Sequence, residues 1–220
     1  MAKMKNAFIF DFDGTLGETE ELVIAAICAA YRDFGLTAPS RDEIVSHFGP
    51  NELGLFKVLR PADGEKFFER YLAHYSELAK QYSPAPFDGI KDVLETLYKN
   101  SVPMAIVTGK CRESLLISLS EYGIADYFSL LECGSENGVV KTEKIRDVLA
   151  RWNATETLDK VYYVGDIVND VLNSLKAGII PLSAAWSKHA DIDALRKSPT
   201  SKVFESVADF GQWIGANALQ

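Results

Sequence analysis

The sequence predicts an α/β fold, a Rossmann-like parallel sheet core with an α-helical cap domain inserted after the first strand. Three observations predict it. Short apolar runs at residues 7–10, 104–107, 161–164 and 179–184 alternate with helical stretches of about ten residues, a pattern that implies a parallel sheet covered by helices on both faces. Residues 17–85 show helical periodicity and no strand pattern. The stretch Ser83-Pro84-Ala85-Pro86-Phe87-Asp88-Gly89 closes that block, because two prolines cannot continue a helix and the glycine permits a turn.

Taken in order, Ala7-Phe8-Ile9-Phe10 reads as a buried strand that ends in the polar turn Asp11-Phe12-Asp13-Gly14-Thr15. Phe68, Tyr71, Leu72, Tyr75 and Leu78 recur every three or four residues, with Glu69, Arg70, Glu77 and Lys80 between them, and predict an amphipathic helix. Shorter helices are expected at 41–48 and 53–59. The aromatic residues of 67–82 are read as the packing core of this block rather than a ligand stack. Beyond the linker, Ile90, Val93, Leu94, Leu97 and Tyr98 mark a helix. Residues 104–107 follow as a strand, 115–122 as a helix and 127–131 as a strand. Ile145, Val148, Leu149 and Trp152 form the next helix face. Residues 161–164 are a strand, 168–177 a helix stopped by Gly178, and 179–184 a strand. The expected organisation is a core of 1–16 and 86–220 and a cap of 17–85, with hinges near Gly17 and Pro84.

The chain has 220 residues, 47% hydrophobic and 25% charged, which fits a folded globular protein. Its 23 basic and 31 acidic residues give a net charge of −8, so binding nucleic acid or an anionic membrane by net charge is excluded. The longest apolar run, residues 22–31, is short of the ~20 residues a bilayer demands. The first apolar run breaks at Asp11, too early for a signal peptide. Cys28, Cys111 and Cys133 are odd in number and far apart, which suggests neither disulfides nor a metal clip. His47, His74 and His189 show no ligand spacing. A cytoplasmic monomer or homodimer is expected.

Ligands of open parallel sheets bind beyond the carboxyl ends of the strands. Four polar clusters belong there: Asp11 to Thr15, Thr108-Gly109-Lys110, Lys141, and Gly165-Asp166-Ile167-Val168-Asn169-Asp170. Three of these clusters, all but Lys141, directly follow apolar strands, while Lys141 opens a helix. Asp11 and Asp13 are two residues apart, Asp166 and Asp170 four apart. Such a concentration of like charge calls for a cation, and several hard oxygen ligands suit Mg2+. Thr108 and the amides after it are expected at a helix N-terminus, a ready anion site. Lys141 adds a point charge for phosphate. Together these residues describe a site for a metal-bound phosphoryl group.

Asp-Phe-Asp-Gly-Thr-Leu at 11–16 resembles the signature of the haloacid dehalogenase superfamily. Val107-Thr108-Gly109-Lys110, Lys141 and Gly165-Asp166 to Asp170 are similar to its later motifs, in order and over nearly the whole chain. The likeness is to its phosphoglycolate phosphatase-like and β-phosphoglucomutase-like branch. The resemblance implies that Asp11 is the nucleophile and becomes an aspartyl-phosphate, and that Asp13 is the general acid and then base. It implies Thr108 and the Gly109 amide on phosphoryl oxygens, and Lys141 between Asp11 and the phosphate. It implies Mg2+ held by Asp11, the Asp13 carbonyl and Asp166, with Asp170 as a further ligand or an orienting partner. An acid/base aspartate at 13 favours phosphoester chemistry over dehalogenation. That role requires a protonated Asp13, expected from carboxylate crowding or cap closure.

Some positions depart from the family pattern. Glu18-Thr19 stands where an Asp-Ser or Asp-Thr pair is frequent, Thr142 where a proline often follows the lysine, and Ile167 where a serine is common. Lys144 competes with Lys141 for the motif role. Lys110 is read as solvated in preference to a substrate contact. The loop His47-Phe48-Gly49-Pro50-Asn51 is the candidate to face the site from the cap. The expected function is a Mg2+-dependent phosphatase acting on a small phosphorylated metabolite. The alternatives are a sugar-phosphate mutase and a non-catalytic phosphometabolite-binding protein.

Overall fold

Side-chain alternation along the first strand sets the architecture. The computed structural model describes residues 4–138, 141–154 and 158–219. In it β1 (Met4–Phe10) sends Ala7 and Ile9 to one face and Phe8 and Phe10 to the other. All four are fully buried, as expected of a central strand covered on both sides. Its companions are β2 (Met104–Val107), β3 (Leu130–Glu132), β4 (Leu158–Gly165), β5 (Ile180–Ala184) and β6 (Lys202–Phe204). The order is β3-β2-β1-β4-β5-β6, and every pairing is parallel. Phe10 lies opposite Ile106 of β2 and Val164 of β4, so three strands end side by side at nearly one level.

The helices are α1 (Glu20–Asp33), α2 (Arg41–Ser46), α3 (Glu52–Leu59), α4 (Gly64–Tyr82), α5 (Ile90–Lys99), α6 (Arg112–Tyr122), α7 (Lys141–Arg151), α8 (Val168–Ala177), α9 (Ile192–Lys197) and α10 (Val207–Asn217). Leu94 of α5, Leu115 of α6 and Phe210 of α10 pack on the Phe8 and Phe10 face. Ile145 and Val148 of α7 pack on the Ala7 and Ile9 face. The first four helices form the helical cap and have a core of their own, with Leu22, Ile27, Ile44, Phe56, Phe67 and Tyr71 buried together. Ser40 and Asn51 cap α2 and α3 by accepting amides three residues ahead. The chain segments entering and leaving this block are tied together. The Phe87 amide donates to the Leu16 carbonyl at 3.0 Å, and the Ser83 hydroxyl to the Glu18 carbonyl at 2.8 Å.

Several boundaries differ from the sequence-based expectation. The buried stripe of α4 is Phe67, Tyr71, Tyr75 and Ala79, and Phe68, Leu72 and Leu78 flank it half-buried. The apolar positions on both sides of Phe67 make two adjacent stripes nearly equal by periodicity, and tertiary packing decides between them. Tyr127, where the strand expected at 127–131 would begin, ends a 3-10 turn of residues 125–127, and β3 starts only at Leu130. Neither β6 nor α9 and α10 was read from the sequence. The three residues of β6 are too few to show alternation. Among the described residues no helix is long and apolar enough to cross a membrane. The three cysteines are free.

Phe10 is fully buried and meets Phe128 and Phe210 edge-on. Phe10→Ala removes these contacts at the strand that carries the site. The expected cost is about 3–5 kcal/mol, read as a lowered midpoint in urea unfolding. A change below about 1 kcal/mol would contradict this packing.

Candidate active site

The ends of β1, β2 and β4 bring together residues distant in sequence. The Asp11 amide donates to the Val164 carbonyl at 2.9 Å, so the chain stays beside β4 for one residue past β1. Asp11 Oδ1 then accepts the Phe12 amide at 2.8 Å. Its Oδ2 faces Lys141 Nζ at 2.5 Å, and the same ammonium lies 2.5 Å from Asp170 Oδ1. Lys141 opens α7 and is buried. Asp11, Asp166 and Asp170 each present an oxygen within 4.8 Å of the others.

Two glycines allow this crowding. Gly14 has φ +72°, and a Cβ there would stand 2.1 Å from Asp166 Oδ2. A Cβ on Gly165 would stand 2.4 Å from Asp170 Oδ2. The carboxylates therefore press against bare backbone. Three carboxylates in one pocket form an all-oxygen donor set, which fits a hard divalent cation such as Mg2+.

The charges perturb one another. Burial pushes the Asp11 carboxyl up to about 6, against the pull of Lys141. Asp166 is raised well above the ordinary carboxylate range by burial and then by Asp11 and Asp170. Burial works against the charge on Lys141, but Asp11 and Asp170 outweigh it and hold the ammonium well above its ordinary value.

Asp13 stands apart from this trio. Its side chain is 42% exposed, and its Oδ1 accepts the Thr19 hydroxyl and the Lys110 ammonium, the latter at 3.2 Å. The expected crowding of Asp13 by carboxylates is replaced by a cation and a hydroxyl. Lys110 also overturns the expectation of a solvated side chain, being 1% exposed. Asp13, Glu52 at 3.4 Å and the face of the Tyr75 ring at 4.8 Å take the place of water around it. Glu52 was not singled out in the sequence. Its signal is a lone carboxylate three and four residues before Leu55 and Phe56, on the apolar face of α3.

Thr108 is buried just past β2, its amide donating to the Glu132 carbonyl at 3.0 Å. Gly109 follows, packed so closely that a Cβ on Gly134 would stand 1.8 Å from its carbonyl oxygen. The helix expected at 115–122 begins earlier, at Arg112, yet still beyond Thr108 and Gly109, which were expected at its N-terminus. The Cys111 amide at its N-terminus is taken by Glu52 Oε2 at 2.6 Å, so Thr108 and Gly109 belong to a loop and not to a free helix end. Lys144 Nζ lies 3.9 Å from Glu132, and it is Lys141 that reaches Asp11. In the loop 47–51, His47 Nδ1 stays at the Glu43 carbonyl (2.7 Å) and Phe48 is exposed. Asn51 turns to the core, donating to the Gly134 carbonyl at 3.2 Å.

A family model described as haloacid dehalogenase-like hydrolase matches residues 8–183. A protein named pyrophosphatase PpaX from Halalkalibacterium halodurans is 25% identical over 219 residues, covering 97% of this chain and 98% of its own. Among solved structures, one described as a predicted phosphoglycolate phosphatase from Haemophilus somnus superposes with a TM-score of 0.76 at 19% identity, covering 95% of this chain and 97% of its own. CbbY from Rhodobacter sphaeroides, solved in complex with phosphate, gives a TM-score of 0.76 at 17% identity, with 94% and 97% covered. At these identities the two structures establish a shared fold.

The raised Asp166 carboxyl sets a sign for stability. Its folded-state value stands above the unfolded value of about 3.9, so the ionised group favours the unfolded chain, and stability falls as pH rises toward neutral. Asp166→Asn removes that cost. In EDTA at neutral pH it is expected to raise Tm by about 2–4 °C, the shift made by about 1 kcal/mol in a chain of this size. An unchanged or lowered Tm would contradict the electrostatics described.

Proposed function

The chain belongs to the haloacid dehalogenase-like hydrolase family, and from that premise we propose that it is a Mg2+-dependent phosphatase of small phosphate monoesters. The observation that carries the reading is the buried Lys141 held between Asp11 and Asp170, with Asp166 completing an oxygen trio. Asp11, Asp13, Asp166 and Asp170 outnumber Lys110 and Lys141. The pocket without a cation would repel a phosphate ester. A bound Mg2+, held by Asp11, Asp166, Asp170 and the Asp13 carbonyl, would supply the charge that offsets phosphoryl oxygens.

The chain's own groups then divide the reaction. One oxygen of Asp11 attacks phosphorus, forming an aspartyl-phosphate as the bond to the ester oxygen breaks. Asp13 gives a proton to the departing oxygen and later accepts one from the water that attacks phosphorus, as the bond to Asp11 breaks and phosphate leaves. Both contacts described above fall on its Oδ1, and Oδ2 is the atom assigned to proton transfer. Lys141 orients Asp11 and screens its charge from the phosphate. Thr108 and the Gly109 amide hold equatorial oxygens of the phosphoryl group.

The cap of 17–85 selects the substrate over a core of 1–16 and 86–220. The Asn51 end of the 47–51 loop docks on the core, and the His47 and Phe48 end lies outward. The relative named a pyrophosphatase makes pyrophosphate a substrate to test beside phosphoglycolate and sugar phosphates.

A panel of these compounds, assayed for phosphate release with Mg2+ and with EDTA, tests the reading. Release in Mg2+ and its suppression by EDTA are expected. Asp11→Asn is expected to lower the rate by roughly 10⁴-fold or more, the scale for losing a covalent nucleophile. A silent wild-type protein, or an Asp11→Asn variant within tenfold of it, would overturn the reading. Conversion of hexose 1-phosphate to 6-phosphate without net release would assign a mutase instead.

A further inference from the structure

A second buried charge cluster adjoins the site and is used by none of the steps above. Glu52 lies at the first turn of α3 in the helical cap, and its carboxylate reaches into the core. Its Oε2 accepts the Cys111 amide at 2.6 Å, and its Oε1 accepts the Ser114 hydroxyl at 2.5 Å and the Tyr71 hydroxyl at 3.3 Å. Burial opposes its charge, but Lys110, Ser114 and the Cys111 amide outweigh burial and hold the carboxyl below its ordinary range. One of these contacts, with the Cys111 amide, caps the N-terminus of α6, a place that favours a carboxylate.

Capping does not account for Lys110. Its ammonium sits 3.4 Å from Glu52, 3.2 Å from Asp13 and over the ring of Tyr75. A lysine side chain is long and flexible, and an ammonium out of water needs its donors matched. Asp13 alone, 42% exposed, would leave Lys110 free to swing toward solvent. Glu52 and Tyr75 fix it from the far side.

We propose that Glu52 is a positioning residue: it anchors the Lys110 ammonium, and Lys110 holds Oδ1 of the Asp13 carboxyl so that its other oxygen, when protonated, faces the departing ester oxygen. The inference rests on the reading of Asp13 as the acid/base group. It assigns no covalent step to Glu52 or Lys110. It predicts a dependence on the leaving group that simple capping would not produce. A nitrophenolate departs with little help from a proton, whereas an alkoxide needs one.

The test measures kcat/KM with Mg2+ for p-nitrophenyl phosphate and for glycerol 3-phosphate, in the wild type, Glu52→Gln, Lys110→Met and the double variant. Glu52→Gln is expected to lower kcat/KM for the alkyl ester by roughly 10–100-fold and for the aryl ester by less than about threefold. The double variant should fall within about threefold of Lys110→Met, because the two side chains act as one unit. Glu136→Gln, which breaks the exposed Lys57–Glu136 pair between α3 and the loop after β3, should leave both values within about twofold. Equal losses on both esters, no loss on either, or multiplying effects in the double variant would overturn the inference. Wild-type protein inactive on both esters and silent on the panel above would overturn the phosphatase reading itself.

Discussion

Lys141 is what allows Asp11 and Asp170 to share a buried pocket. Two carboxylates out of water repel each other strongly, and each would be costly alone. One ammonium between them, donating to both, makes the arrangement compatible with folding. Burial, and then Asp11 and Asp170, raise the Asp166 carboxyl strongly against a smaller pull from Lys141. The residual negative charge sits at the carboxyl edge of the sheet, where the parallel topology gathers loops from several strands. A folded protein retains such a cost where function needs it.

The same device is repeated a short distance away. Lys110 is shared by Asp13 and Glu52, as Lys141 is shared by Asp11 and Asp170. The two clusters differ in origin. The first joins segments of the sheet and of α7 and α8 alone. The second joins the sheet to the helical cap through Glu52 and Tyr75. Seating the cap and ordering Asp13 are thus linked through one buried cation.

The sheet and most of the site were legible in the sequence for a physical reason. Strands buried on both faces must be continuous apolar runs, and the residue after such a run lies at the sheet edge. Asp11, Thr108 and Asp166 announce themselves by that position. Lys141 is found by its place at a helix start, and the structure brings it to Asp11 as the resemblance implied. Lys110 and Glu52 were illegible because each looks like a surface charge until the other is seen. They are 58 residues apart in the sequence, and only tertiary contact pairs them. The short β6 was missed because three residues carry no period.

A crystal structure with Mg2+ and beryllium fluoride, a mimic of a phosphorylated carboxylate, would test the central claim most directly. The account predicts one divalent ion among Asp11, Asp166 and Asp170, with the fluoride adduct on an Asp11 oxygen and Lys141 beside it. An ion bound elsewhere, or an adduct absent from Asp11 while the ion is in place, would contradict it.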